Sequence, residues 1–148
     1  MNGPKSISLI FPVYRDKHTV KKVINKSLKI LRKLKKKYEI IIIDDGCPEK
    51  SGLVALKYTK NNNKIRVIFH KKNYGYGAAI RTGFKNSKYD CIYAVDGDGE
   101  FGIALNDLPR ILKKYNHNDL VITYRYKKRY KTIRIIISWA YNFILRIL

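Results

Sequence analysis

Three carboxylates stand within five residues at Asp96, Asp98 and Glu100, spaced by Gly97 and Gly99 and preceded by the apolar run Cys91–Val95. Like charges this close repel, and a hard divalent cation removes the repulsion. Mg²⁺ takes oxygen ligands and shares them with substrate phosphates. Acids at alternate positions after a strand can face one ion, and the glycines let a phosphate or sugar approach the backbone. A solvated acidic turn has the same composition, because Asp and Gly are common turn residues.

Other stretches carry compatible chemistry. Asp44 and Asp45 close the run Ile40–Ile43, where a carboxylate suits a nucleobase or ribose hydroxyls, or equally a helix cap. Gly75 and Gly77 precede a helical pattern carrying Arg81. Free N–H groups at such a helix entry suit an anion, and a tight turn would use the same glycines. From Tyr124 to Arg134, six cations occur without an acid, Arg125 among them. Arginine forks grip phosphate bidentately, whereas an exposed basic loop needs no ligand.

These residues need a frame. Short β-branched runs at 6–11, 38–44, 64–69, 91–96 and 119–124 read as strands. Between them, Val20, Val23, Ile24, Leu31 and Leu34 recur at helical spacing. Further helices are expected over 51–60, 77–87, 106–115 and from about 132 onward. Alternation of this kind predicts an α/β sheet with right-handed crossovers. Ligands of such sheets bind beyond the carboxyl ends of the strands. The chemistry-bearing residues fall at those ends.

The 148 residues suit one domain, with no internal repeat or linker. Thirty-two Lys plus Arg against 11 Asp plus Glu give a formal charge of +21, which favours an anionic partner or reflects solvated lysine faces. Cys47 and Cys91 are too few for a disulfide framework and read as reduced thiols. No signal peptide or clean membrane span is visible, so the expected location is cytoplasmic, with peripheral contact at the cytoplasmic membrane face. That contact rests on residues 132–148, where Arg134, Ser138, Asn142 and Arg146 form a polar stripe among large apolar residues. Such a helix suits the interface plane, or half-burial against the sheet or a partner subunit, which leaves oligomerisation open.

The stretches SLIFPVYRD, YEIIIIDDGCPEKS, NYGYGAAIRTGF, YAVDGDGE, ITYRY and RIIISWAYNFI, in that order, resemble family 2 glycosyltransferases of GT-A fold. Among these they are most similar to the dolichyl-phosphate (polyprenyl-phosphate) mannosyl- and glucosyltransferases. The resemblance implies a three-layer GT-A (Rossmann-like) sandwich with a mostly parallel central sheet. It implies an inverting transfer of sugar from a GDP- or UDP-linked donor to a polyprenyl phosphate, with Mg²⁺ or Mn²⁺. It assigns Pro12, Tyr14, Asp16, Asp44, Asp45, Gly97, Asp98 and Arg125 to the nucleotide sugar. Asp96, Asp98 and Glu100 would hold the metal, and Asp96, Asp98 and Arg125 would carry catalysis. The family pattern usually has Asn at Arg15, Ser at Cys47 and Gln at Glu100, and often a phosphate-binding arginine at Trp139. It also continues past Leu148, which implies a longer enzyme of which this chain is a fragment or minimal form. Two rival readings are a catalytically inactive binding module and a basic nucleic-acid-binding protein. No nucleic-acid motif accompanies the charge, so no nucleic acid is expected.

Overall fold

Runs such as Leu9–Phe11 and Ile40–Ile43 hold too many consecutive apolar residues for a strand with one wet face, and both lie in strands covered on both sides. The computed structural model describes residues 3–95, 101–115, 120, 121, 137, 139 and 143. In chain order the elements are β1 (Ser6–Val13), α1 (Val20–Lys33), β2 (Lys37–Asp44), α2 (Ser51–Thr59), β3 (Ile65–Phe69), α3 (Tyr76–Lys85), β4 (Ile92–Ala94) and α4 (Phe101–Tyr115). The four strands form one parallel sheet in the order β3-β2-β1-β4. Ser6 lies opposite Lys37 and Val13 opposite Asp44, so β1 and β2 end level with each other.

Alternation along the strands divides the core in two. Ile7, Leu9, Phe11, Val13, Ile40 and Ile42 meet α1 residues Val23, Ile24 and Leu31 and α4 residues Leu105, Leu108 and Leu112. Ile10, Ile41 and Ile43 face the other way and meet Ala79 of α3. The result is the expected three-layer α/β arrangement. Gly83 of α3 sits so close to β1 that a Cβ there would overlap the Ile10 side chain. This contact explains glycine inside a helix, where it normally weakens the element.

One expectation changes. Residue Asp107 reads as a helix start, yet α4 begins at Phe101 and Asp107 lies inside it. Buried Leu105, Leu108 and Leu112 fix one stripe, and Pro109 stands exposed beside it. The expected strand at 119–124 and helix from 132 lie almost wholly outside the described residues. Ile137, Trp139 and Phe143 are helical and exposed, with the Trp139 and Phe143 rings stacked at 5.5 Å. No described helix is long and apolar enough to cross a membrane.

Candidate active site

Pro12 is buried in β1 opposite Ile43. Its even-numbered neighbours turn their backbone toward β4: the Ser8 N–H donates to Cys91 O, and Ile10 O accepts the Val95 N–H at 3.0 Å. Pro12 has no N–H with which to continue that ladder. The β1–β4 pairing ends there, immediately before Asp96. The strand order also reverses direction between β1 and β4, which makes this the switch point where open α/β sheets hold ligands.

On the other side of β1 a loop is stitched to the start of α2. The Asp16 N–H donates to Ser51 Oγ at 3.0 Å, and Asp16 Oδ2 accepts the Tyr14 N–H at 3.1 Å. The Arg15 N–H donates to Cys47 Sγ at 3.1 Å, and Sγ lies 3.1 Å from Ser51 Oγ. Burial works to raise the Cys47 thiol, but the Ser51 hydroxyl and the amides of Ser51, Arg15 and Glu49 together hold it below the ordinary value. Arg15 has a positive φ of 60°, and its guanidinium lies 5.4 Å from the exposed Tyr14 ring.

Asp44 and Asp45 are both buried, and their described bonds run within the chain. Asp44 accepts the Cys47 N–H at 2.7 Å and the Gly52 N–H at 2.6 Å, which ties the β2–α2 loop to the first turn of α2. Asp45 turns to the β3–α3 loop and accepts the N–H groups of Tyr74 at 2.9 Å and Gly75 at 2.8 Å. His70 Nδ1 lies 2.7 Å from Asp45 Oδ1, and His70 Nε2 lies 2.9 Å from Thr82 Oγ1. Burial pushes the Asp45 carboxyl up. The Tyr74 amide, His70 and the Gly75 amide outweigh burial and leave it below the usual Asp range. Gly75, at φ 89°, caps α3. The anion at that helix entry is therefore Asp45 itself, while Arg81 stays exposed.

Loops from the carboxyl ends of three strands thus meet through Asp16, Asp44 and Asp45, beside the outlet of β4. Asp96, Gly97, Asp98, Glu100 and Arg125 lie outside the described residues. The sequence reading missed His70, Thr82 and Ser51. Its available signal was a polar residue directly after, or just below, a glycine-flanked strand end. It also missed Glu39 at the opposite end of β2, a lone acid in an apolar run. There it accepts from Ser8 Oγ at 2.6 Å, the Lys88 N–H at 2.6 Å and Arg66 at 2.8 Å.

The family model described as glycosyl transferase family 2 matches residues 8–146. The chain belongs to that family. A curated family 2 relative, human dolichyl-phosphate beta-glucosyltransferase, is 34% identical over 102 residues, covering 64% of this chain and 32% of its own length. Undecaprenyl-phosphate 4-deoxy-4-formamido-L-arabinose transferase of Pectobacterium atrosepticum is 27% identical over 144 residues, covering 96% and 43%. The chain therefore spans about a third to two fifths of the length of these relatives. Among solved structures, S. aureus TarS superposes with a TM-score of 0.58 at 19% identity, over 83% of this chain and 24% of that one. Pyrobaculum calidifontis mannosyltransferase PcManGT, in complex with GDP-Man and Mn²⁺, gives 0.53 at 14%, over 66% and 28%. At these identities the structural matches establish the GT-A fold of the family 2 chain.

Proposed function

We propose that this chain forms the donor-binding part of an inverting glycosyltransferase that moves a sugar from a nucleoside diphosphate to a polyprenyl (dolichyl) phosphate. The observation that carries this reading is the meeting of the Asp16, Asp44 and Asp45 loops at the β1/β4 switch point, ahead of a strand that leads into Asp96. Relatives named for transfer to dolichyl and undecaprenyl phosphate support the acceptor class.

In this reading Tyr14 and Asp16 line the nucleotide, and Asp44 and Asp45 shape the base and ribose pocket through the loops they hold. Asp96, Asp98 and Glu100 supply an all-oxygen donor set, which fits Mg²⁺ or Mn²⁺. A bound divalent cation would offset charge on the departing diphosphate. Arg125 would share that task, its fork matching phosphate oxygens. An acceptor phosphate oxygen attacks the anomeric carbon as the C1–O bond to the diphosphate breaks, and the diphosphate keeps the electron pair. The acceptor is already anionic, so this step needs no general base. Residues 132–148 would lie in the membrane interface beside the lipid acceptor.

The test is a thermal-shift series with GDP- and UDP-sugars, with and without Mn²⁺, followed by transfer of labelled sugar to dolichyl phosphate. Ligand at about 100 times Kd stabilises by about 2.7 kcal/mol, several degrees for a domain this size. A flat response to every nucleotide sugar in the presence of Mn²⁺ would overturn the proposal.

A further inference from the structure

The sheet has a second built feature at the end away from the candidate active site. A cleft of about 440 Å³ opens between the end of α1, the turn into β2, and the α2–β3 loop. Arg32, Lys35, Lys36 and Lys64 line it together with Asn62, over a floor that includes buried Tyr38. Tyr38 and Asp44 lie near opposite ends of β2, so at about 3.3 Å per residue the cleft is about 20 Å from the candidate donor site.

The charge around this cleft is one-sided. Between Lys26 and Lys37 there are seven cations and no acid, and between Lys57 and Lys64 there are three cations and no acid. The carboxylate next in sequence, Glu39, alternates to the other face of the sheet, where Arg66 and Ser8 engage it. None of the four lining cations pairs with a carboxylate among the described residues.

Helix capping explains only part of the cluster. Arg32 suits the carbonyl end of α1, but two of the last carbonyls are already used by backbone: the Leu34 N–H donates to Ile30 O and the Lys35 N–H to Arg32 O, both at 3.2 Å. Lys35 itself holds a left-handed backbone, φ 51°, where glycine is the less strained residue. A cation thus sits on the rim of the cleft at a conformational cost. The rim is also ordered. Lys64 Nζ lies 4.5 Å from the centre of the Tyr38 ring, and Asn62 Oδ1 accepts the Lys64 N–H at 3.0 Å.

We infer that this cleft is a second anion site, independent of the nucleotide-sugar site, that takes a phosphate group bearing several negative charges. Its volume falls within the range of ligand pockets and exceeds the needs of one bare phosphate. The charged groups of Arg32, Lys35 and Lys64 suit a di- or triphosphate, or the phosphomonoester of an anionic lipid, while the Lys36 ammonium turns away and donates to Gly3 O at 3.5 Å. Both sources present the same chemistry.

The experiment measures binding of inorganic tripolyphosphate by calorimetry, and co-sedimentation with vesicles of phosphatidylcholine alone or with phosphatidic acid, at physiological salt. The Lys35→Glu/Lys64→Glu variant is compared with Lys21→Glu/Lys22→Glu, an equal charge change at exposed positions of the first turn of α1. The cleft variant should bind about tenfold more weakly or worse, and the control within about twofold of the parent. Selective loss with tripolyphosphate identifies a soluble polyphosphate, and selective loss with phosphatidic acid vesicles identifies a lipid headgroup. Equal weakening in both variants would show diffuse attraction by the net charge and overturn the site, as would no binding of either probe by the parent chain. If the double variant fails to fold, Lys35→Gly replaces it. That change suits the left-handed backbone and should keep or raise stability while weakening binding about threefold; undiminished binding would overturn the site.

Discussion

Replacing Asp45 by Asn tests whether the β3–α3 loop is held by charge. The carboxylate accepts from His70, the Tyr74 amide and the Gly75 amide. Asn keeps the shape but offers one acceptor oxygen, and its NH₂ must face at least one donor. Hydrogen bonds to a charged group contribute about 1.5–3 kcal/mol each, and an unmatched buried donor costs about 1–3 kcal/mol. Tyr74 is 53% exposed, so water can recover part of that loss. The expected destabilisation is therefore about 2 kcal/mol rather than the sum of three bonds. Urea unfolding at pH 7 should show a lower midpoint with an unchanged slope, and the Tyr74 and Gly75 amides should exchange faster with solvent. The pH dependence has a definite sign. The folded-state pKa of Asp45 is lowered from 3.8, so its contribution is fully present above the unfolded value and disappears as pH falls through the folded one. The gap between parent and variant should close as pH falls below about 4. An unchanged midpoint at pH 7, or a gap that persists in acid, would refute the assignment.

Other outcomes follow from the same geometry. Glu39→Gln should cost about 2 kcal/mol in urea unfolding, because Arg66 and the Lys88 amide lose a charged acceptor; an unperturbed midpoint would make the cluster incidental. Gly52→Ala should destabilise by about 2 kcal/mol or more, since the new Cβ would lie 2.7 Å from Asp44 Cβ and 2.6 Å from Phe69 Cε1; thermal unfolding measures this. Asp98→Ala should abolish Mn²⁺-dependent nucleotide binding with an unchanged circular dichroism spectrum, and retained binding would remove Asp98 from the metal set. Arg125→Lys keeps the charge without the fork, so kcat should fall by more than nucleotide affinity does.

The order of elements and the GT-A layers were legible because each strand is a dense β-branched run and each helix a periodic stripe. The gathering of polar residues at one sheet edge was legible for the same reason. What each acid touches was not. Asp44 and Asp45 carry identical local signals, yet one holds α2 and the other reaches to His70 and Gly75 across the β3–α3 connection. That choice depends on which side of the strand end each side chain leaves, a property of the folded sheet. The start of α4 was misplaced because Asp107 looks like a helix beginning. Burial of Leu105, Leu108 and Leu112 outweighs that local preference.

The parallel sheet also carries an order of assembly. β1 reaches β2 across one helix and β2 reaches β3 across another, whereas β1 must wait for Ile92 to arrive before Ser8, Leu9 and Ile10 gain their second neighbour. Closing a longer loop costs more entropy and slows pairing. During synthesis, β1 through β3 should therefore settle as one unit while β4 is still to be made, and β4 should add as a late step onto a finished edge. Pulse-labelled hydrogen exchange during refolding would show this as protection of Ile40–Ile43 ahead of Ile92–Ala94. Simultaneous protection would mean that the sheet forms in a single event. The strand that delivers the acidic segment would then be the last of the four described strands to acquire its place.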